Sequence, residues 1–319
     1  MPDYLPDSSV PWAINPAALP LRSIIPPKSE DDDGATDGDT AAASSFAAIA
    51  GSEAVPSSGG VAVVALAGIV DEAAPRWAQR AGWATAPSVF AGAVEAAAHA
   101  AGSVLIVANS PGGSTAGVVE AAARVRAAAR NALVVAVSSH QMCSAAYFLC
   151  SGAGVLAASP SAYSGSVGVI STVASRAALN EDLGFDVRVL SAGAGKADLH
   201  PDLPLDAEAL GRMEALVAAA YGQFVAHVAG ARGVPRSRVR DGWGAHVLPA
   251  DAAKDAGMVD AVMSAADMHR MLSSPSGRRA VGKLAAMREV LRGDARMTAM
   301  ADSAMMTEDG ETKLKGFSR

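Results

Sequence analysis

Between Val61 and Ser191 apolar runs alternate with helix-like stretches, without a convincing internal sequence repeat. A short run of apolar, often β-branched residues is followed by a break and then by an alanine-rich stretch of helical length. Val61–Ile69, Val104–Ala108, Leu133–Ser138 and Val155–Ala158 are apolar almost throughout, as expected of strands buried on both faces. Ser88–Ala101 and Ala116–Arg130 read as the helices between them. Strands alternating with helices must be joined by crossovers, so the expected class is α/β with a parallel sheet. Further along, Val167–Thr172 and Val187–Ser191 read as short strands and Arg176–Leu183 as a helix. Asp206–Arg232 reads as a long helix with Asp206 as N-cap and an apolar stripe of Leu210, Met213, Val217, Ala220, Phe224 and Val228. Asp251–Val262 reads as a last helix and short strand.

The flanks differ in composition. Residues 1–58 hold Pro26–Pro27, the acidic run Glu30–Asp33 and a Ser/Gly/Ala mixture, and read as a flexible N-terminal arm. One island in it, Pro11-Trp12-Ala13-Ile14, is apolar enough to dock on something. After Ser273 the chain turns polar, Met-rich and aperiodic, so 273–319 reads as a flexible tail or scaffold-like segment. That leaves 59–272 as one folded domain. The net charge of −6 comes without a basic stripe, which argues against a nucleic-acid surface. Cys143 and Cys150 lie in one apolar stretch without metal-ligand spacing and read as reduced, buried thiols. None of the six histidines sits in a zinc-binding spacing, so no metal is expected. Met1–Leu21 lacks the charged start and apolar run of a signal peptide, and no 18-residue apolar stretch exists. The expectation is a soluble, cytoplasmic protein without a membrane anchor.

Three segments could carry chemistry. Asn109-Ser110-Pro111-Gly112-Gly113 follows a buried strand and is expected to break it; its glycines allow close approach of a ligand, and its N–H groups suit developing negative charge. The plain alternative is an ordinary turn. His140-Gln141-Met142-Cys143-Ser144-Ala145-Ala146-Tyr147 also follows a buried strand and puts a serine at the start of a helix, where a nucleophile is held exposed and strained; the alternative is a simple N-cap. Ser191-Ala192-Gly193-Ala194-Gly195-Lys196 carries a lysine in a Gly/Ala setting. It is not a phosphate loop, because Ala197 stands where Ser or Thr is needed, and it is not a dinucleotide fingerprint, because Asp198 replaces the last glycine. No cofactor is therefore expected. His140, four residues before Ser144, is the one histidine placed to act as an alternative base.

These segments, in this order, resemble the signal-peptide peptidase A family, related to the caseinolytic Clp proteases and the crotonase superfamily. The resemblance runs from about Gly60 to Val262. It rests on AGIV at Ala67–Val70, NSPGGSTAG at Asn109–Gly117, CSAAY at Cys143–Tyr147, GSVGV at Gly165–Val169, GKADLHPDLPLDAEA from Gly195, YGQFVAHVAGARG at Tyr221–Gly233 and ADAAKDAGMVD at Ala250–Asp260. It implies a Clp/crotonase-like fold of repeated β-β-α units and a serine endopeptidase with a Ser–Lys dyad. Ser144 would be the nucleophile, Lys196 its base, and Ser166 the residue that orients the lysine. Gly112 or Gly113, with the Ala145 N–H, would form the oxyanion hole. SAAY in place of the family's more usual SGGY bears on groove shape. A lysine base works only as the neutral amine, so its surroundings must strip water from the charged form. The resemblance also implies a homo-oligomeric ring. The N-terminal YLPDSSVPWAIN is similar to the phage branch, the prohead or capsid-maturation proteases. There the substrates are scaffold, capsid or portal proteins, and the site of action is the host cytoplasm or the prohead interior. The alternatives are a soluble bacterial peptidase of the same family, a crotonase-like acyl-CoA enzyme or an inactive structural relative.

Overall fold

The computed structural model describes residues 60–293 together with two short strands, Trp12–Ile14 (β1) and Val55–Ser57 (β2). The rest of the expected arm and tail lies outside the described residues. The core of the molecule is a sheet in the order β10-β7-β6-β5-β3-β2. Its members are β3 (Val61–Val70), β5 (Ser103–Ser114), β6 (Leu133–Cys143), β7 (Val155–Ala158) and β10 (Ala261–Val262), all parallel, with β2 antiparallel at one edge. This is the expected α/β architecture.

The apolar runs that gave no alternation in sequence alternate in packing. Val104, Ile106, Val134 and Ala136 point to one core, and Leu105, Val135, Val137 and Val155 to another. Helices α2 (Pro87–Ala100), α3 (Val118–Asn131) and α4 (Ala145–Cys150) cover the first face; α1 (Arg76–Arg80) follows β3 in the chain. The second face is covered from the C-terminal side. There α8 (Ala265–Ser273) contributes Met268 and Leu272, and a helix over residues 275–293 contributes Val281. That last helix was expected to be aperiodic chain. Its packed side contains Val281, Leu284, Ala285, Arg288 and Arg292, at helical spacing but with arginines in core positions. Arg292 is buried because it donates to the Ala231 and Ala153 carbonyls (2.5 and 2.6 Å). Arg232, at the end of α6 (Ala207–Arg232), forms a fully buried pair with Asp260 at 2.6 Å, and Arg288 joins it.

The C-terminal ends of the central strands do something different from their first halves. Where Ala67 pairs with Asn109 and Ile69 with Gly112, β5 carries one residue more than β3; between Ser138 and Met142, β6 carries two more than β5. Such bulges bend strands and re-aim side chains. Beyond them the strand ends recruit new partners: β4 (Ala84–Thr85) on β3, β8 (Tyr163–Gly165) on β6, and β9 (Val247–Pro249) on β8. Asn109–Gly113 therefore does not break its strand as expected but continues it to Ser114. Glycine is what permits this: Gly112 has φ 101°, and a Cβ on Gly113 would collide with the Val70 carbonyl oxygen.

Two expected strands are not formed. Val167–Thr172 keeps only an isolated bridge at Ile170, and Val187–Ser191 forms no strand among the described residues. Residues 171–206 hold only α5 (Ala177–Asp182), which buries no side chain. Asp206 does cap α6, accepting from the Ala209 N–H at 2.8 Å. The predicted stripe on α6 is buried only in its second half, at Phe224 and Val228. Residues Arg238–Trp243 form a π-helical turn, and α7 (Ala250–Asp255) leads to β10.

Candidate active site

Ser144 sits at the junction of β6 and α4 with φ 52° and ψ −125°. A side chain with a Cβ rarely adopts that backbone, and holding it there costs on the order of 1–3 kcal/mol. The neighbours impose it. The Ser144 N–H donates to the Gly165 carbonyl at 2.8 Å, and its own carbonyl accepts from Phe148 at 2.9 Å. Helix α4 is buried along its whole length and cannot shift to relieve the turn. It is pinned by Tyr147, whose hydroxyl donates to the Met258 carbonyl at 2.8 Å and whose ring meets Trp243 edge-on. The Ser144 Oγ is buried and makes no hydrogen bond among the described residues. A strained serine with an unengaged hydroxyl between strand and helix is the arrangement that presents a nucleophile.

Donors for an oxyanion lie beside it. Ala145 is the first residue of α4, so its N–H has no acceptor within the helix. Across the sheet, the register Ser110↔Met142 brings Gly112 and Gly113 alongside the turn at Ser144. The Gly112 N–H donates to the buried Ser110 Oγ at 3.2 Å. Ser166 is also brought close. It follows Gly165, has φ 55°, and is held by its N–H donating to the His246 carbonyl at 2.9 Å. A Cβ at Gly165 would strike that same carbonyl oxygen, so the loop fits only as glycine.

Lys196 is not brought to this cluster. It lies exposed in the turn-rich stretch after Val187, with its N–H on the Gly193 carbonyl at 3.2 Å, and its amine makes no hydrogen bond or ion pair among the described residues. His140 does not fill the gap. It is exposed on β6, its Nδ1 is 3.3 Å from Ser139 Oγ, and it makes no hydrogen bond to Ser144 among the described residues. The cysteines do not offer a nucleophile: both are buried, and burial pushes the Cys150 thiol well above its usual range.

One feature was not legible in the sequence. A pocket of about 120 Å³ opens beside Ala145 and is lined by Val118, Val119, Phe148, Val169 and Phe224. Its walls come from α3, α4, the loop after β8 and α6, so no single segment signals it.

Fold and site together define an α/β chain with a strained serine between strand and helix and backbone donors next to it. Residues 126–276 match the model of peptidase family S49. That match supports the resemblance read from the motifs and, with it, a peptidase of the serine type. The matched span contains Ser144, Ala145, Ser166 and Lys196 and begins after Gly112 and Gly113. No curated protein matched the chain. Among the described residues, no helix is long and apolar enough to cross a membrane.

Proposed function

We propose that the chain is a serine endopeptidase in which Ser144 attacks the scissile carbonyl and Lys196 is the general base. The observation that carries this reading is the Ser144 backbone, φ 52° and ψ −125°, with a buried Oγ that makes no hydrogen bond among the described residues. In the proposed reaction the lysine amine takes the Oγ proton as the Oγ–carbon bond forms. The N–H of Gly112 or Gly113, together with that of Ala145, holds the resulting oxyanion. The lysine then gives the proton to the leaving amine, and water, deprotonated by the same lysine, releases the acyl group. Ser166, next to the Gly165 carbonyl that fixes Ser144, would orient the lysine once it arrives. The pocket beside Ala145 suits an apolar side chain of the substrate.

Lys196 must come to Ser144 for this chemistry. The segment that carries it leaves Leu179, Leu183, Phe185 and Leu190 in solvent, Leu190 at 95% exposure. Apolar surface of that extent favours burial against another copy. It supports a homo-oligomeric ring in which a neighbouring copy covers the segment and completes the site. The N-terminal similarity to the phage branch makes scaffold, capsid or portal proteins the proposed substrates, with cleavage inside an assembling shell.

The test is co-expression with a candidate scaffold or capsid protein, followed by mass spectrometry of the products. Cleavage that Ser144→Ala and Lys196→Ala each reduce by about 10³-fold or more, with the fold intact by circular dichroism, supports the dyad. Folded variants with near wild-type activity contradict it.

A further inference from the structure

Strand β1 plays no part in the chemistry above, yet its position is specific. It runs antiparallel to the end of β5, with Trp12 opposite Ser114, Ala13 opposite Gly113 and Ile14 opposite Gly112. Gly112 and Gly113 already pair with Ile69 and Val70 of β3. A strand has two hydrogen-bonding edges, so β1 occupies the other one, the edge that faces β6. Strand β6 uses that edge only as far as Ser110↔Met142. Continued by two residues, its register would set Ser144 opposite Gly112. The chain turns into α4 there instead, and Ile14 takes the vacated place. The backbone of residues 12–14 thus runs past the point where Ser144 leaves the sheet, alongside the glycines proposed to bind the oxyanion.

We infer that this edge, Gly112–Ser114, is a docking site for an extended polypeptide strand, and that the chain's own residues 12–14 occupy it as an intramolecular substrate mimic. The inference rests on Ser144 being the nucleophile. Strand addition recognises main chain rather than side chains, which fits a groove floored by two glycines. It also explains how this edge is managed: a bare edge beside the site would pair with any exposed strand. Residues Asn15–Ala54 tether β1 to β2 in the same molecule, so the mimic is always present at high local concentration. A three-residue strand makes few hydrogen bonds, and a substrate that pairs over a longer stretch displaces it. The fraction of molecules with the edge open sets the apparent affinity for substrate.

The test uses the full chain and its Ala13→Pro/Ile14→Pro variant, since proline lacks the N–H and is excluded from paired strand interiors. Two readouts are needed. In the Ser144→Ala background, hydrogen exchange of peptides covering residues 112–114 is compared with and without the prolines. Faster exchange in the proline variant is expected; unchanged exchange overturns the docking. In the active background, kcat/KM for a short fluorogenic peptide is expected to rise about tenfold in the proline variant. An unchanged kcat/KM, in a chain whose cleavage still depends on Ser144, overturns the mimic and leaves the peptidase reading intact. Loss of the first residues up to the region of Ile14 in wild type, but not in Ser144→Ala, supports docking in a cleavable position. If no variant cleaves the peptide, the peptidase reading fails, and the exchange result still decides whether the edge is occupied.

Discussion

The strain at Ser144 makes a prediction that does not depend on finding the substrate. Two costs meet at this residue: a backbone at φ 52°, ψ −125°, and a buried hydroxyl without a hydrogen bond among the described residues. The backbone term is about 1–3 kcal/mol. The hydroxyl term is about 1 kcal/mol at the low end of the range for an unsatisfied buried group. Ser144→Ala removes only the hydroxyl, so it should be stabilised by about 1 kcal/mol. Ser144→Gly removes both, and the extra freedom of glycine in the unfolded chain takes back about 0.4–1 kcal/mol. At the middle of both ranges, glycine should therefore exceed alanine by about 1.3 kcal/mol, or roughly 3–5 °C in Tm for a domain of this size. Urea denaturation of the three chains, followed by circular dichroism, measures the order Gly above Ala above wild type. Alanine equal to or above glycine would refute the backbone strain. Wild type above alanine would show that the hydroxyl is stabilising, so that it does not stand ready to react.

Gly113→Ala drives a Cβ into the Val70 carbonyl oxygen, backbone against backbone, and should destabilise by about 3 kcal/mol or more and abolish activity; thermal denaturation and peptide turnover report both. Ala220→Trp, on α6 at the pocket beside Ala145, should raise KM for peptides with a large apolar side chain while leaving the rate of Ser144 acylation by a small reagent unchanged. His227, stacked on Phe148 with its Nε2 3.0 Å from Ser151 Oγ, is pushed down to about 4, first by burial and then by Arg126 and Arg292. Its neutral form belongs to the folded state, so the stability it supports is complete above about 6.5 and falls as pH drops from there towards 4, by roughly 2–3 kcal/mol; urea midpoints across that window should flatten in His227→Gln.

The parallel sheet was legible because strands buried on both faces need continuous apolar runs, and Val104–Ala108 and Leu133–Ser138 have them. Ser144 was legible as a serine at a strand–helix junction, but its strain was not, since that comes from Gly165 and from the fixed position of α4. Asn109–Gly113 was misread as a break. Glycine usually interrupts strands, and nothing local reveals that β3 on one side and β1 on the other keep this stretch extended. Val187–Ser191 has strand composition but forms no strand among the described residues, and composition alone cannot supply a partner. The helix over 275–293 was missed because its inward positions include Arg288 and Arg292. These read as solvent-facing until Asp260 and the carbonyls of Ala153 and Ala231 are seen to receive them. The placement of Lys196 was not legible in the sequence: among the described residues its segment is tied down by polar contacts, Asp198 to Arg212 of α6 and Arg176 to Asp202, and buries no side chain of α5 that an apolar pattern could have signalled.

The central claim is that Ser144 is a nucleophile activated by Lys196, and labelling with a serine-reactive fluorophosphonate tests it most directly. Intact-mass measurement and peptide mapping of the full chain should show one adduct, on Ser144, that forms faster with rising pH. The adduct should be absent in Ser144→Ala and slowed by about 10³-fold in folded Lys196→Ala. Labelling of another serine, or of Ser144 at an undiminished rate without Lys196, would contradict the account.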